Sequence, residues 1–310
     1  MITNIIDPAS VAARYRDAIR ARVAAFAEPP TLLGLLASND GPSRTYADFT
    51  RRACEQVGVR FELRAVPRLE VEEAIVDAND DPGIHGIMVY YPIFGTQQDT
   101  WLRQLVSPDK DIEGLHPYWA RCLYTNRRFI DEARTRKAIL PCTPLAIRKL
   151  LDAAQITEAD QPRPLDGTRV CIFNRSEVVG RPLAAMLAHE GAEVVSFDID
   201  GPQLFLPADA GGRRTHHQVR ECDLDRSDAL DEADIVITGV PSRSFPPIHA
   251  DEIREGAHCI NFSSAPNIDD DVIGKAATYI PRVGPMTVVM TLRNTLRLYA
   301  NALAAPEVTP

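Results

Sequence analysis

"VCIFNRSEVVGRPLAAMLAHEGAEVVSFDID", residues 170–200, decides how the chain is read. Arg169 to Phe173 form an apolar strand, a short loop follows, and Glu177 to His189 carry helical spacing that stops at Gly191. "AEVVSF" is a second strand and delivers Asp198. Strand, tight loop, helix, and a strand ending in a carboxylate make the dinucleotide-binding layout, in which the helix N-terminus meets a pyrophosphate. The GxGxxG run is absent. Only the late Gly180 remains, with Arg175, Ser176 and Val179 in the turn before it. Asn174 takes the early glycine's place, since asparagine tolerates positive φ. Asp198 stands 18 positions after Gly180, close to the ~20 at which an acid holds the ribose hydroxyls and repels a 2'-phosphate. Asp200 is open to the same role, and a plain parallel-sheet core competes with the nucleotide reading of the whole stretch.

Downstream, "ADIVITGVP" is a strand ending at Gly239, where missing side-chain bulk lets a cofactor approach, and "GAHCINFS" is another ending near Asn261. Ordinary strand-end turn chemistry is the alternative for both. A last helix opens at Pro285 or Met286 and runs through "TVVMTLRNTLRLYANAL", long enough to leave this domain and return to an earlier one. Upstream, Leu32 to Ala37 is a strand closed by a turn at Ser38 to Gly41. "TYADFTRRACEQVG" places Phe49, Ala53 and Val57 on one helical face and stops at Gly58. "VRFELRAV", "LEVEEAIVDAND" and "IHGIMVYYPIFG" continue as strand, helix and a buried strand that stops at Pro92. The rhythm predicts an α/β protein of two domains with parallel βαβ units. An N-terminal parallel-sheet domain spans 1–140 and is completed by a helix over 288–310. A Rossmann-type domain spans 141–287, with a cleft expected between the two. Ligands in such sheets collect beyond the strands' C-terminal ends. There the first domain offers Tyr90, Tyr91 and the "DKDIEG" loop with Asp109, Asp111 and Glu113. A surface acidic loop is the favoured bland reading of that trio, and Tyr46 reads equally well as a half-buried core tyrosine.

Composition narrows the classes. The 310 residues carry 34 basic and 43 acidic side chains, net charge -9, with no separate basic block. That balance opposes a nucleic-acid surface. The start "MITNIIDPAS" lacks a secretory layout, and no apolar run reaches the ~20 residues of a membrane helix. A cytoplasmic protein is expected. Six cysteines, at 54, 122, 142, 171, 222 and 259, include no CxxC pair and read as free thiols. His216 and His217 read as part of a polar insert, and no metal site is expected. Residues 201–221 read as one long loop.

"TYADFTRRACEQVG", "KDIEG", "PCTPLAI", "NRSEVVGRPLAAML" and "VGPMTVVMTLRNTL" together resemble the methylenetetrahydrofolate dehydrogenase and cyclohydrolase family, in order and over nearly the whole chain. The resemblance is nearest the monofunctional, NAD-dependent branch known from yeast. It implies NAD, 5,10-methylenetetrahydrofolate as substrate, and a homodimer built through the nucleotide-binding domains. On that basis Tyr46 packs on the aminobenzoate ring and Glu113 stands where the family has an aspartate for the pterin's amino-pyrimidinone edge. Cys142, Thr143 and Pro285 are expected beside substrate or nicotinamide. Thr50 occupies the place of the family's hydrolytic lysine, and Tyr90 the place of its glutamine, so the cyclohydrolase step is expected to be lost. A bifunctional NADP enzyme and a non-catalytic dinucleotide-binding protein remain the alternatives. Arg175 resembles a phosphate ligand of NADP-using relatives, yet pairing with pyrophosphate or with Asp198 is equally open.

Overall fold

The computed structural model describes residues 2–37, 41–157, 161–208 and 216–304. In chain order the first elements are β1 (Asn4–Ile5), α1 (Pro8–Val23), β2 (Thr31–Leu36), α2 (Gly41–Val57), β3 (Arg60–Ala65), α3 (Val71–Asp80), β4 (Gly86–Val89), α4 (Gln97–Leu105), α5 (Pro117–Tyr124) and α6 (Cys142–Ala153). There follow β5 (Arg169–Phe173), α7 (Gly180–His189), β6 (Glu193–Asp198), β7 (Gly201–Leu206), β8 (Gln218–Glu221), α8 (Arg226–Glu232), β9 (Ile235–Thr238), β10 (His258–Asn261), β11 (Thr278–Ile280) and α9 (Gly284–Leu303). The chain divides into two compact units. One holds Met1–Val11, Leu123–Arg127 and Thr143–Met286, the other Ala12–Cys122, Arg128–Cys142 and Thr287–Pro310. Relative to the boundaries read from sequence, residues 1–11 and 123–127 lie with the Rossmann-type unit. No helix among the described residues is long and apolar enough to cross a membrane.

In the unit that starts at Ala12, a parallel sheet runs β3-β2-β4. Its central strand "TLLGLL" has no polar face because helices cover both sides, which is why it reads as a continuous apolar run. Leu33, Leu35, Ile75 and Ile87 are fully enclosed, and each such burial stabilises the fold by roughly 1.5–3 kcal/mol. The buried stripe of α2 is Ser43, Ala47, Thr50, Ala53, Cys54 and Val57. Phe49, expected on this face, is 54% exposed. It and Ala53 are four apart, but the stripe that meets the sheet runs 47, 50, 54, 57 and leaves Phe49 outside. β4 ends at Val89, earlier than the strand predicted to reach Pro92, and the chain turns through a cis Tyr91-Pro92 bond. The carboxylate of Asp99 fixes that turn by accepting from the backbone N–H groups of Ile93, Phe94 and Gly95 at 3.2, 2.8 and 3.0 Å. Asp99 belongs to the first turn of α4, so this one side chain ties the helix to the strand end.

The Rossmann-type unit is built on an eight-stranded sheet, β1-β11-β10-β9-β5-β6-β7-β8. From β1 to β6 all pairs are parallel; β7 and β8 are antiparallel. The order reverses between β5 and β9, which makes their C-terminal ends the place where such sheets take ligands. Residues 201–221 are therefore not a plain loop, since β7 and β8 lie in them; residues 209–215, like the turn expected at Ser38 to Asp40, fall outside the described residues. His217 is buried too, only 9% exposed, stacked on Phe205 and hydrogen-bonded to His189 at 2.9 Å, so the polar-insert reading fails for it. The short β1 and β11 were not read in the sequence, being two and three residues long.

Gly239, after β9, has a different use from the one expected. A Cβ there would sit 1.8 Å from the Phe262 ring, so the glycine admits that ring and leaves no open approach. Gly239→Ala is expected to cost roughly 1–3 kcal/mol by overpacking, read as a lower urea midpoint at unchanged m-value.

Candidate functional site: a buried carboxyl and a strand-end acid

The loop after α4 is drawn onto the edge of β4. Ile87 N–H donates to Lys110 O at 2.8 Å, and Ile87 bridges Asp111 in parallel register. Asp111, only 4% exposed, then accepts from the N–H groups of Glu113, Gly114 and His116 at 3.0, 3.0 and 2.7 Å. Gly114 takes φ 69°, and a Cβ there would meet the Leu140 backbone at 2.9 Å. This turn sends the Glu113 side chain inward. Hence "DKDIEG" is a surface acidic loop only at Asp109, which is exposed: Asp111 is buried, and Glu113 is half-buried with its carboxyl turned from solvent. Burial pushes Asp111 up to about 6 against those backbone donors. Burial, then the neighbouring Asp111 charge, pushes Glu113 up to about 8, opposed by Arg103 and by a hydrogen bond from the Val89 N–H.

The predicted side chains gather about this carboxyl. Tyr46 and Tyr90 meet edge to face at 6.0 Å between ring centroids, and Gly34 leaves the space that Tyr90 fills. Tyr46 is partly exposed along its ring, with its hydroxyl end enclosed. Burial first, then Cys142, Glu113 and Tyr90, hold its phenol far above the usual range. Thr50 is buried and its hydroxyl donates to Tyr46 O at 3.0 Å, a bond to its own helix that leaves no amine-like group at that place. Cys142 donates to Ile112 O at 3.3 Å, and burial pushes its thiol up to about 12, so it is an inert neighbour and not a nucleophile. Thr143 and Pro285 belong to the other unit, in the first turns of α6 and α9.

Asn294 and Arg103 were missed in the sequence, whereas Tyr91 was read there at the strand end. Asn294 donates to Ile112 O and Leu140 O at 2.8 and 2.9 Å, tying α9 to the Glu113 turn. Tyr91 and Arg103 lie within electrostatic reach of Glu113, with the Arg103 guanidinium 4.8 Å from the centre of the Tyr91 ring. The signal for Asn294 was a polar residue on the buried stripe of "TVVMTLRNTL"; for Arg103 there was none. Around the carboxyl, the buried atoms Tyr90 Oη, Tyr91 Oη, Arg103 Nε and Asn294 Oδ1 lack a partner among the described residues. Unpaired buried polar atoms are costly, and a cluster of them marks a surface made for a polar ligand.

In the Rossmann-type unit, the loop after β5 is closed by Asn174. Its Oδ1 accepts from Ser176 N–H, Ser176 Oγ and Gly180 N–H at 3.0, 2.8 and 3.0 Å, and its Nδ2 donates to Gly239 O at 2.9 Å. Asn174 thus replaces the early glycine by side-chain hydrogen bonding and not by a positive φ, which it does not have. Gly180 is required because a Cβ would meet Asn174 O at 2.0 Å. Asn174 O in turn accepts from Ser196 Oγ at 3.2 Å. The first turn of α7 is already occupied: Gly180 N–H goes to Asn174, Arg181 N–H to Ser176 O at 3.1 Å, and Pro182 has none. The helix also starts at Gly180, later than the Glu177 expected. Val179 N–H reaches Ser176 Oγ at 3.3 Å. Glu177 and Val178 keep backbone N–H groups with no acceptor among the described residues, so the donors for an anion lie in the loop and not on the helix.

Asp198, exposed at the end of β6, accepts from Arg175 N–H at 2.6 Å and Ile199 N–H at 2.8 Å. Arg175 is 7% exposed, and its guanidinium donates to Ser196 O and Gly201 O at 2.6 and 2.9 Å and pairs with Asp200. It is a strut under the strand end, turned neither to pyrophosphate nor to the Asp198 carboxylate. Asp200, so engaged, is the weaker candidate for the ribose. Asn261 Nδ2 donates to Ala265 O, and its Oδ1 accepts from Ser263 N–H, both at 3.0 Å, which is the strand-end turn chemistry weighed against a binding role. Elsewhere His249, Asp269 and Asp271 bring ligand atoms within 4.8 Å at an exposed place not read in the sequence, where both carboxylates already accept backbone N–H groups.

A parallel-sheet unit holding an inward-turned carboxyl and a Rossmann-type unit with a strand-end acid together define a two-domain dinucleotide-dependent enzyme. The family profile "Tetrahydrofolate dehydrogenase/cyclohydrolase, catalytic domain" matches residues 6–113, and its "NAD(P)-binding domain" counterpart matches 141–303. The chain belongs to the tetrahydrofolate dehydrogenase/cyclohydrolase family. It is 41% identical over 306 residues to the methylenetetrahydrofolate dehydrogenase (NAD(+)) of Schizosaccharomyces pombe, covering 98% of this chain and 95% of that one. The solved NAD-dependent 5,10-methylenetetrahydrofolate dehydrogenase of Saccharomyces cerevisiae superposes with TM-score 0.91 at 39% identity, covering 98% and 99% of the two chains. The bifunctional FolD of Campylobacter jejuni, at 24% identity and TM-score 0.77 over 97% and 99%, shares the fold.

The raised Glu113 carboxyl has a stability consequence. An unfolded glutamate releases its proton near 4.3, the folded one near 8. Between those values only the unfolded chain has lost the proton, so this group lowers stability as pH rises through the window. Glu113→Gln is therefore expected to be more stable than the parent at pH 8 by roughly 1–3 kcal/mol, with the gap closing by pH 5 in urea unfolding.

Proposed function

We propose that this protein oxidises 5,10-methylenetetrahydrofolate to 5,10-methenyltetrahydrofolate with NAD, and that it does not carry the cyclohydrolase step. The observation that carries the substrate reading is the enclosed Glu113 carboxyl, ringed by tyrosines and unpaired polar atoms. A pterin's pyrimidinone edge presents two coplanar N–H donors, which a carboxylate accepts together. NAD, when bound, supplies the hydride acceptor at nicotinamide C4. Glu177 and Val178 N–H and the exposed Asp198 carboxylate fit its phosphate and ribose groups.

Removal of hydride from the methylene carbon leaves a cation shared by N5 and N10, and no proton is abstracted. The chain is asked for position and field. Glu113 orients the pterin and, ionised, favours the developing positive charge. Tyr46 provides an aromatic face for the aminobenzoate ring. Thr50 fills the place where a hydrolytic amine would stand, and its hydroxyl is engaged by Tyr46 O. A cytoplasmic setting and a homodimer paired through the dinucleotide unit belong to the same proposal, the second resting on the family resemblance; a dimer mass in light scattering checks it.

Initial rates with NAD and NADP at matched concentration test the reaction, and a preference for NADP, or no reduction with either, overturns the proposal. Asp198→Asn, which keeps an acceptor for the Arg175 N–H, is expected to raise the NAD KM roughly 10-fold through the lost charged hydrogen bonds. Methenyltetrahydrofolate decay is expected to be no faster with enzyme than without, and acceleration would show that hydrolysis survives.

A further inference from the structure

The folate reading leaves a half-buried cation unexplained. Arg103 lies one turn beyond Asp99 on α4. Because Asp99 clamps the Ile93–Gly95 turn, Arg103 is delivered over the Tyr91 ring, 4.8 Å from its centroid. Among the described residues its Nε hydrogen finds no acceptor, and the Tyr91 hydroxyl is equally unpaired. A guanidinium partly removed from water with a donor left empty is costly unless its charge does something there.

The charge acts on Glu113. Facing that carboxyl are Asp111 from its own turn, Tyr46 from α2, Tyr90 and Tyr91 from the end of β4, Cys142 from the start of α6, and Arg103 from α4. Arg103 is the one cation in this set. Burial and Asp111 drive Glu113 toward its neutral acid, which offers a pterin one acceptor fewer and an unwanted donor. We propose that Arg103, clamped over Tyr91 by the Asp99 turn, is a positioning residue of the folate site that favours the ionised, double-acceptor form of the Glu113 carboxyl against its neutral acid. This rests on the assignment of Glu113 to the pterin.

The test is the pH profile of kcat/KM for 5,10-methylenetetrahydrofolate, followed by NADH formation between pH 6.5 and 9.5. The parent shows an acid limb whose midpoint reports Glu113. Arg103→Met is expected to move that limb upward by about one unit, so that kcat/KM falls ~10-fold at pH 7 and recovers above the new midpoint, with the NAD KM unchanged. Arg103→Lys, which restores the charge, returns the limb most of the way. A loss of the same factor at every pH, or an unmoved limb in both variants, overturns the proposal. Thermal unfolding of the variants separates a folding defect, and Arg103→Gln, a second neutral replacement for which the same upward move of the limb is expected, carries the test if Arg103→Met does not fold. Glu113→Gln tells the two readings apart. If it leaves the folate KM unchanged, the pterin assignment falls and this inference with it. If it raises that KM while Arg103→Met leaves the limb in place, only the role of Arg103 falls.

Discussion

Three backbone hydrogen bonds to one buried carboxylate hold the folate unit's chemistry in place. Asp111 binds the N–H groups of Glu113, Gly114 and His116, and without that turn the Glu113 side chain would have no reason to leave solvent. The same Asp111 raises the proton affinity of Glu113. One acid thus fixes the geometry of a second and opposes its ionisation. Asn294 closes the arrangement from α9 through two carbonyls, so the last helix helps shape a loop more than 180 residues earlier in the chain.

The dinucleotide unit solves a related problem with a neutral side chain. A loop without its early glycine must still turn tightly from β5 into α7. Asn174 achieves this with three accepted bonds and one donated bond to Gly239 O, at the point where the strand order reverses. The first turn of α7 is thereby filled by its own loop, and backbone N–H groups without an acceptor among the described residues are left at Glu177 and Val178.

The sequence made the general plan legible because alternating apolar strands and helices carry their own periodicity, and because Asn174, Gly180 and Asp198 keep the spacing of a nucleotide loop. It also named Tyr46, Thr50, Tyr90 and Glu113, which the fold does bring together. What it hid depends on contacts distant in the chain. Acidic side chains in "DKDIEG" look solvated until Ile87 draws the loop onto a strand edge. Phe49 reads as core until the sheet selects the neighbouring stripe. Arg175 reads as a phosphate ligand until the carbonyls of Ser196 and Gly201 take its donors. β7 and β8 interrupt a parallel rhythm, so no βαβ pattern announces them.

That strut under the strand end bears on how cofactor choice could change during evolution or engineering. Asp198 is exposed, with one oxygen receiving the Arg175 N–H and the other the Ile199 N–H, and Arg175 in turn anchors the bend from β6 into β7. The acid proposed to hold the ribose is therefore also tied into the strand-end turn. Acceptance of a 2'-phosphate requires removal of the acid, which leaves the Arg175 and Ile199 N–H groups in need of another acceptor. A path toward NADP that spares the turn therefore passes through replacements that lose the charge of Asp198 and keep an acceptor for the Arg175 N–H.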